Sequence, residues 1–598
     1  LSNCRFLFNC GEGSRRICRE NKIYTENLTG VFFTSCSWKH ISGIPAFQAP
    51  FTNNEEKKNI FNLYGPAAVE SFFHQYSDLD FDFDTSNRYF TLNCEEIIFK
   101  ESLVVKPVPL FVKDSENLSP KNIPPKYILA YICTFPIRNG RLCPHKLVSA
   151  GVPPGPLVEC LKNGTPVKLP NGKVITAPEV AIDSFEASTF IVLEIPTVQY
   201  LEALISNSDF DQYKKEAIRH NPDRKNLKVI VHFTPPEIMK DSRYCEWVNS
   251  FSPSVSHIVI NNSSSCLGLY NSVQMQLRLN HILPTVFPLH RNPGVQFASS
   301  EADYPNEEEP LNPVLLTSEY QFDGPAVHSS CPTVYSYQNV NSSLKNELKK
   351  LAVQFDELKR ERTSTKRNHF PKILFLGTGS GSATGFRNVS GIKIITWVLI
   401  AILDERKKAL KEAGIKESPN LYILAPPEII RLVKDAQHHF DLDLENTTFI
   451  NNIGLAKDNY IKSSVYKAFK SLHLEDLSVA YVFHVKNSFG IALTHEDGWK
   501  IVYSGDTMPS TSLVTIGRNC DLLIHEATVE DGLEERAALK RHSTLSQAIK
   551  VGKDMNAKFT ILTHFSQKYR NIPFFEMNIV KENVGIAFDC MMVSCPRF

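Results

Sequence analysis

Four short signatures in the second half of the chain carry side chains suited to metal-assisted chemistry. They are His484 in Val482-Phe483-His484-Val485-Lys486-Asn487-Ser488-Phe489-Gly490, Asp506 in Tyr503-Ser504-Gly505-Asp506-Thr507, the run His525-Glu526-Ala527-Thr528, and His564 in Leu562-Thr563-His564-Phe565-Ser566. Each stands at the end of an apolar run that reads as a strand, where a rigid sheet holds a side chain in a loop-lined cleft. Imidazole and carboxylate together suit zinc, and a carboxylate can bridge two ions. A lone histidine of this kind is more often packed or on the surface. Four strand ends in order are harder to assign to packing alone. His542-Ser543-Thr544 offers a second chemistry. Ser543 or Thr544 can act simply as a helix N-cap. Alternatively, Glu526 orients and charges His542, which then donates a proton to a leaving group. The sequence does not show that these two side chains meet.

The elements that must position these residues follow from the apolar pattern. In the second half, strand Lys372–Leu376 runs into the turn Gly377-Thr378-Gly379, and Leu421–Leu424 leads into a helix over Glu428–Gln437. A hairpin is predicted from Ser478–His484 and Gly490–Thr494. Trp499–Tyr503 follows across an Asp497-Gly498 turn. Asp521–Ile524 and Lys558–Leu562 read as strands, with Leu533–Lys553 helical between them. The first half offers Gly30–Thr34, Tyr127–Phe135, Thr189–Pro196, Val229–Thr234 and His257–Asn261 as strands. Strands alternating with helices predict an α/β fold. Between the halves, Ala298–Pro313 is acidic, and Ser342–Arg367 has helical spacing and ends in basic clusters that read as a solvated linker face.

With 598 residues, 42% of them hydrophobic, the chain is too long for one core and too apolar for disorder, so two or more domains are expected. A net charge of +1 leaves nucleic-acid binding to local patches rather than a global field. The 14 cysteines show neither disulfide nor zinc-finger spacing and fit a reducing intracellular compartment. The longest apolar run, Ile394–Leu403, is about half of what a membrane helix needs, so no membrane association is expected. Because the chain opens on Leu1 rather than Met, its natural start is expected to lie upstream.

The order Gly377-Thr378-Gly379, Arg387-Asn388, His484, Ser504-Gly505-Asp506-Thr507, His525-Glu526-Ala527-Thr528, His542-Ser543-Thr544 and His564-Phe565-Ser566-Gln567 resembles the long form of ribonuclease Z, the endonuclease that removes 3′ trailers from precursor tRNA. The resemblance covers nearly the whole chain. It implies tandem metallo-β-lactamase-like αβ/βα domains. The first, degenerate domain spans 1–330 and carries a tRNA-binding arm over about 139–180. A linker at 331–370 leads to a catalytic-type domain at 371–598. It also implies His484, Asp506 and His564 as metal ligands, two zinc ions in the intact family, and Glu526, His542 and Asp506 as catalytic residues. Gly151, Pro153, Pro154, Gly155, Pro156 and Lys162 correspond to the arm, with Lys146, Lys168 and Lys173 adding phosphate contacts. Arg387 and Asn388 correspond to the loop that reads the tRNA 3′ end, although Ala383 and Gly385 replace its usual Pro and Lys. A monomer working in nucleus or mitochondrion is the further implication.

Two departures matter. In the first half, Phe33-Thr34-Ser35-Cys36-Ser37-Trp38-Lys39-His40 stands where the family pattern reads His-x-His-x-Asp-His. Only His40 survives, and Lys39 argues against a cation. In the second half that motif is missing outright. Arg387-Asn388-Val389-Ser390 runs through Gly391–Ile400 to Asp404-Glu405-Arg406-Lys407, and no His-x-His-x-Asp-His occurs in the 598 residues. The adjacent pair His438-His439 reads as a surface pair. The carboxyl-terminal domain is therefore expected to carry an internal deletion joining near Ile394–Val398. That leaves about two ligands per ion, weak zinc binding and impaired activity. The rival expectation is a non-catalytic tRNA-binding or partner-binding homologue; another metallo-β-lactamase nuclease would need a large inserted domain that is not seen.

Overall fold

The computed structural model describes most residues of 5–287, the stretch 372–375 and most of 403–594. The acidic stretch, the linker, Gly377-Thr378-Gly379, Arg387, Asn388 and the Ile394–Val398 junction lie outside the described residues.

The amino half opens with a parallel sheet of β1 (Arg5–Phe8), β2 (Leu28–Phe32), β3 (Asn62–Gly65) and β4 (Tyr89–Thr91) in sequential order. A second sheet takes β5 (Ile97–Phe99), β6 (Leu103–Phe111) and β7 (Tyr127–Phe135). The arm then supplies β8 (Arg141–Leu142), β9 (Val167–Lys168), β10 (Val174–Ile175) and β11 (Ala181–Ile182). The second sheet resumes with β12 (Ser188–Leu193), β13 (Asn226–His232) and β14 (Ser256–Val259), in the order β14-β13-β12-β7-β6-β5.

In the carboxyl half, β15 (Lys372–Leu374) pairs with the last strand, and β16 (Leu421–Ala425) pairs in parallel with β17 (Thr447–Asn451). A six-stranded sheet follows in sequence order: β18 (Leu474–Tyr481), β19 (Phe489–His495), β20 (Lys500–Tyr503), β21 (Leu522–Glu526), β22 (Phe559–Thr563) and β23 (Val584–Ile586). β24 (Met592–Ser594) is the last described strand.

Strand direction shows that the halves repeat one plan. β6-β7-β12 are joined antiparallel and β12-β13-β14 parallel. β18-β19-β20 and β20-β21-β22 follow the same pattern. Likewise β3, helix Ala67–Ser77 and β4 match β16, helix Pro427–Ala436 and β17. Where β3 continues the sheet to β2 and β1, β16 and β17 form a two-stranded sheet among the described residues.

The arm is an insertion between β7 and β12, at the place where the carboxyl half makes its Asp497-Gly498 turn between β19 and β20. Gly498 takes the left-handed conformation (φ 82°) that such a turn requires. β8 and β11 close the base of the arm as an antiparallel pair. Leu147, Val152, Leu161, Val167, Leu169, Ile175 and Val180 give it a small core of its own.

One core crosses between the halves. Val31, Trp38, Ile41, Phe47, Phe72 and Phe73 of the amino half pack with Ile423, Ile429, Leu432, Val433, Ala436 and Phe440 of the carboxyl half. The helix Pro427–Ala436 buries Ile429, Leu432, Val433 and Ala436 on one stripe. Phe440 stands edge-on to Trp38 and Phe72, with ring centroids 5.4 and 5.1 Å apart. His439, expected at the surface, is instead half-buried, its ring 5.6 Å from that of Phe72; His438 lies outside the described residues.

The predicted helix Leu533–Lys553 is two helices, Glu534–Lys540 and Leu545–Asp554. They are broken by Arg541 in the left-handed conformation (φ 56°). The break lifts His542 out of a helix and into the site. Among the described residues, no helix is long and apolar enough to cross a membrane.

Candidate metal and catalytic centre

The loops after β18, β20, β21 and β22 bring the candidate residues to one end of the carboxyl sheet. His484 lies in the short β18–β19 connection rather than in the predicted strand, because β18 ends at Tyr481. Phe483 N–H donates to Thr507 Oγ1 at 3.1 Å, and Val482 N–H to the Ser488 carbonyl at 3.1 Å, which fix the loop on both sides of the imidazole. Asp506 follows β20 behind Gly505, whose φ is 62° and whose added Cβ would meet the Phe489 carbonyl at 2.7 Å. That close approach requires glycine. His564 follows β22 and holds a left-handed backbone at φ 61°, an unusual conformation for histidine.

These residues converge. Nε2 of His564 is 3.3 Å from Asp506 Oδ2, and Nε2 of His484 is 3.9 Å from the same oxygen. Each imidazole has its other nitrogen engaged. His484 Nδ1 lies 3.1 Å from the Arg541 carbonyl oxygen, and His564 Nδ1 lies 2.8 Å from Thr528 Oγ1. A carbonyl only accepts, so His484 donates through Nδ1 and presents the lone pair of Nε2 to the site. Thr528 Oγ–H donates to Glu526 Oε2 at 2.7 Å, which leaves its oxygen to accept from His564 Nδ1–H and sets the same tautomer. Two imidazole nitrogens beside one carboxylate are donor types that suit a borderline divalent ion such as zinc, and the ligand atoms of Glu526, His542 and His564 all lie within 4.8 Å of one another.

Glu526 and His542 do meet, with Nδ1 2.7 Å from Oε1. Glu526 is 1% exposed, and also accepts from Thr507 N–H at 2.9 Å and Thr528 N–H at 3.0 Å. Burial pushes its carboxyl up, but His542 and the hydrogen bonds outweigh this and hold it below the ordinary value. Burial likewise pushes His542 down, yet the Glu526 carboxylate prevails and the imidazole stays above its ordinary value. His542 is therefore a proton donor held against a buried anion. Its ring stands 4.7 Å from that of His484 and 5.4 Å from that of His564. Thr544 is the N-cap, in a capping box with Gln547, while Ser543 Oγ donates to the Thr507 carbonyl at 2.7 Å. The capping and catalytic readings of this segment thus hold together. His525 alternates to the other face of β21 and is buried in the core.

Thr528 and Arg541 were not singled out by sequence reasoning. Thr528 stood inside the His-Glu-Ala-Thr run, whereas nothing marked Arg541, whose guanidinium also donates to the His484 carbonyl at 2.7 Å.

The amino half holds a polar cluster at the equivalent place. Glu194 follows β12 as Asp506 follows β20, and is 7% exposed. It accepts from Thr34 Oγ at 2.7 Å and Ser35 Oγ at 3.0 Å, with His40 Nδ1 at 3.3 Å. Two hydroxyls and an imidazole that burial pushes towards its neutral form face this carboxylate. Lys39 is exposed rather than pointing into this pocket, which corrects the reading that its ammonium fills a cation site. Glu194 was legible only as an acid at the end of an apolar strand. In the arm, Gly151 (φ 76°) and Gly155 (φ 135°) make the bends around exposed Pro153 and Pro154, and Pro156 opens the helix Pro156–Lys162. Lys162, Lys168 and Lys173 are exposed, whereas Lys146 Nζ donates to the Ala181 carbonyl at 2.7 Å and braces the arm's base.

Fold and site together define a two-half hydrolase of metallo-β-lactamase architecture, and comparison with known proteins agrees. The crystal structure of a long form RNase Z from yeast superposes with a TM-score of 0.69 over 99% of this chain and 94% of that one, at 17% identity. A family profile described as tRNase Z endonuclease matches residues 1–43. The mitochondrial ribonuclease Z of Drosophila melanogaster is 30% identical over 673 residues, covering 99% of this chain and 83% of the fly protein. Zinc phosphodiesterase ELAC protein 2 of Macaca fascicularis is 28% identical over 693 residues, with 99% and 82% covered. The chain belongs to the long-form ribonuclease Z family. Because the fly alignment runs over 673 residues and this chain has 598, the relative carries segments opposite gaps here.

Proposed function

We propose that this chain is a tRNA 3′-processing endoribonuclease that hydrolyses the phosphodiester 3′ of the mature tRNA body in precursor tRNA, using zinc. The observation that supports this most directly is the convergence of His484, Asp506 and His564 beside the Glu526–His542 pair. A divalent ion bound there would supply Lewis-acid charge at the reacting phosphoryl group. The chain's own residues do the rest. Asp506 and the two imidazoles would hold the ion, and Thr528 and the Arg541 carbonyl orient those imidazoles. His542, charged by Glu526, delivers its proton to the departing 3′ oxygen.

The arm, with Gly151, Pro153, Pro154, Gly155, Pro156 and exposed Lys162, grips the tRNA body by its phosphates. Arg387 and Asn388 act at the 3′ end. The domains divide as 1–330, 331–370 and 371–598, and the protein works as a monomer in mitochondrion or nucleus. Turnover is expected to be low relative to relatives that carry the His-x-His-x-Asp-His segment.

The test is cleavage of a precursor tRNA with added zinc. The His542→Ala variant should lose about 10²–10⁴-fold in rate with tRNA binding unchanged. Equal rates for His542→Ala and the parent chain would refute the assignment. The absent ligand segment favours a second reading, a tRNA-binding homologue without cleavage. Salt-sensitive binding with no trailer released under any metal would support that alternative.

A further inference from the structure

Arg541 carries a side chain that its place in the backbone does not account for. It ends the helix Glu534–Lys540 in the left-handed conformation, φ 56°, with its N–H donating to the Ala538 carbonyl at 3.0 Å. That position asks for a residue that tolerates positive φ, glycine before any other, and makes no use of a guanidinium. We propose that Arg541 binds the scissile phosphate of precursor tRNA, its guanidinium on the non-bridging oxygens. The inference rests on the functional reading above and adds a substrate-binding residue to it.

Arg541 and His484 hold each other by a reciprocal pair of bonds. Nη1 of Arg541 donates to the His484 carbonyl at 2.7 Å, and Nδ1 of His484 donates to the Arg541 carbonyl at 3.1 Å. The guanidinium is thereby fixed beside the residue whose Nε2 lies 3.9 Å from Asp506 Oδ2 and whose ring stands 4.7 Å from that of His542. His542 is also the next residue in the chain, so the guanidinium and the proton donor come from one bend.

A guanidinium has five N–H donors in a planar fork, and the bond to His484 uses one of them. Nε and Nη2 have no partner among the described residues, and Arg541 is exposed. The carboxylates of the site do not neutralise it, because Asp506 faces His484 and His564 while Glu526 is paired with His542. An exposed cation with spare donors, braced rather than free to swing, suits the two-point geometry of a phosphodiester. Charge builds on the phosphoryl oxygens as the bond to the 3′ oxygen breaks, and a guanidinium held in place beforehand stabilises it. The competing role is a brace for the β18–β19 connection, which needs only the bond from Nη1 and is indifferent to phosphate.

The test uses two ligands that cannot be cut, a tRNA body ending in a 3′-phosphate and the same body ending in a 3′-hydroxyl. The first presents a phosphate where the scissile one lies. Binding of each to the full chain is measured with zinc present. The parent chain should prefer the phosphate form, and Arg541→Gly should lose about 10–100-fold of that preference. Glycine takes φ 56° without strain and keeps the carbonyl that engages His484 Nδ1, and circular dichroism checks that the variant is folded. Millimolar guanidinium, against matched sodium chloride, should restore part of the preference. An unchanged preference in Arg541→Gly overturns the proposal. So does a lost preference that guanidinium does not restore, which leaves Arg541 as a brace. A preference that depends on Arg541 in a chain that releases no trailer sinks the proposed activity and leaves this residue's role standing. Cleavage of precursor tRNA at the parent rate by Arg541→Gly sinks only this inference.

Discussion

At the scale of single residues, the site depends on groups one step behind the ligands. Thr528 has one hydroxyl proton and gives it to Glu526, so its oxygen is left to set the tautomer of His564. Thr528→Val keeps the shape and removes both bonds. Zn2+ affinity is expected to fall 10–100-fold, with Thr528→Ser restoring most of it. Calorimetry checks this, and an unchanged affinity in the valine variant would show the hydroxyl to be incidental. Elsewhere, His232 is fully buried, with Nδ1 2.6 Å from the Tyr244 hydroxyl and Nε2 3.0 Å from His257 Nδ1. Burial first, and His257 beside it, hold His232 down at about 3. The folded chain therefore keeps His232 neutral while the unfolded chain takes up a proton below about 6.5. This contribution to stability is full above that value and is lost as pH falls towards 3. By pH 5 the loss is about 2 kcal/mol. Urea midpoints at pH 7.5 and 5.0 should differ accordingly, and His232→Asn should flatten the difference.

Among the elements, the arm is the clearest case of sequence chemistry turned into shape. Its own core lets it stand as an inserted lobe on the β8–β11 base. The exposed Lys162, Lys168 and Lys173 can then reach phosphates without belonging to the catalytic sheet. Changing all three to Ala should raise KM for precursor tRNA and lower the salt slope of binding by about two to three, with kcat little altered. A fall in kcat with unchanged KM would place these lysines outside the tRNA grip. Much of the element pattern was readable. Tyr127–Phe135 is a strand over those residues because its run is continuously apolar and buried. The helix break at Arg541 was not, since Arg541 is a good helix former and the pattern on either side is helical. The left-handed arginine caps the helix Glu534–Lys540, with Arg541 N–H donating to the Ala538 carbonyl at 3.0 Å and His542 N–H to the Ala537 carbonyl at 2.9 Å, and the contacts of Glu526 with His542 and of His484 with Arg541 hold it there.

For the molecule as a whole, the two halves are joined by a shared apolar core, and their stability should be coupled. Phe440→Ala opens a cavity between Trp38 and Phe72 and should cost about 3–5 kcal/mol. Denaturation followed by a probe in each half would show both transitions moving together. A shift confined to the carboxyl half would mean that the interface carries little of the coupling. By itself, the sequence determined the family, the α/β alternation and the loss of a metal-binding segment, because these reside in ordered motifs and in residue types that a linear reading can count. Only the tertiary structure decided that His484 and His564 both face Asp506, that His439 packs against the amino half, and that Glu194 accepts from the hydroxyls of Thr34 and Ser35. Those are distances between residues far apart in the chain. Packing and burial set them, and no local pattern encodes them.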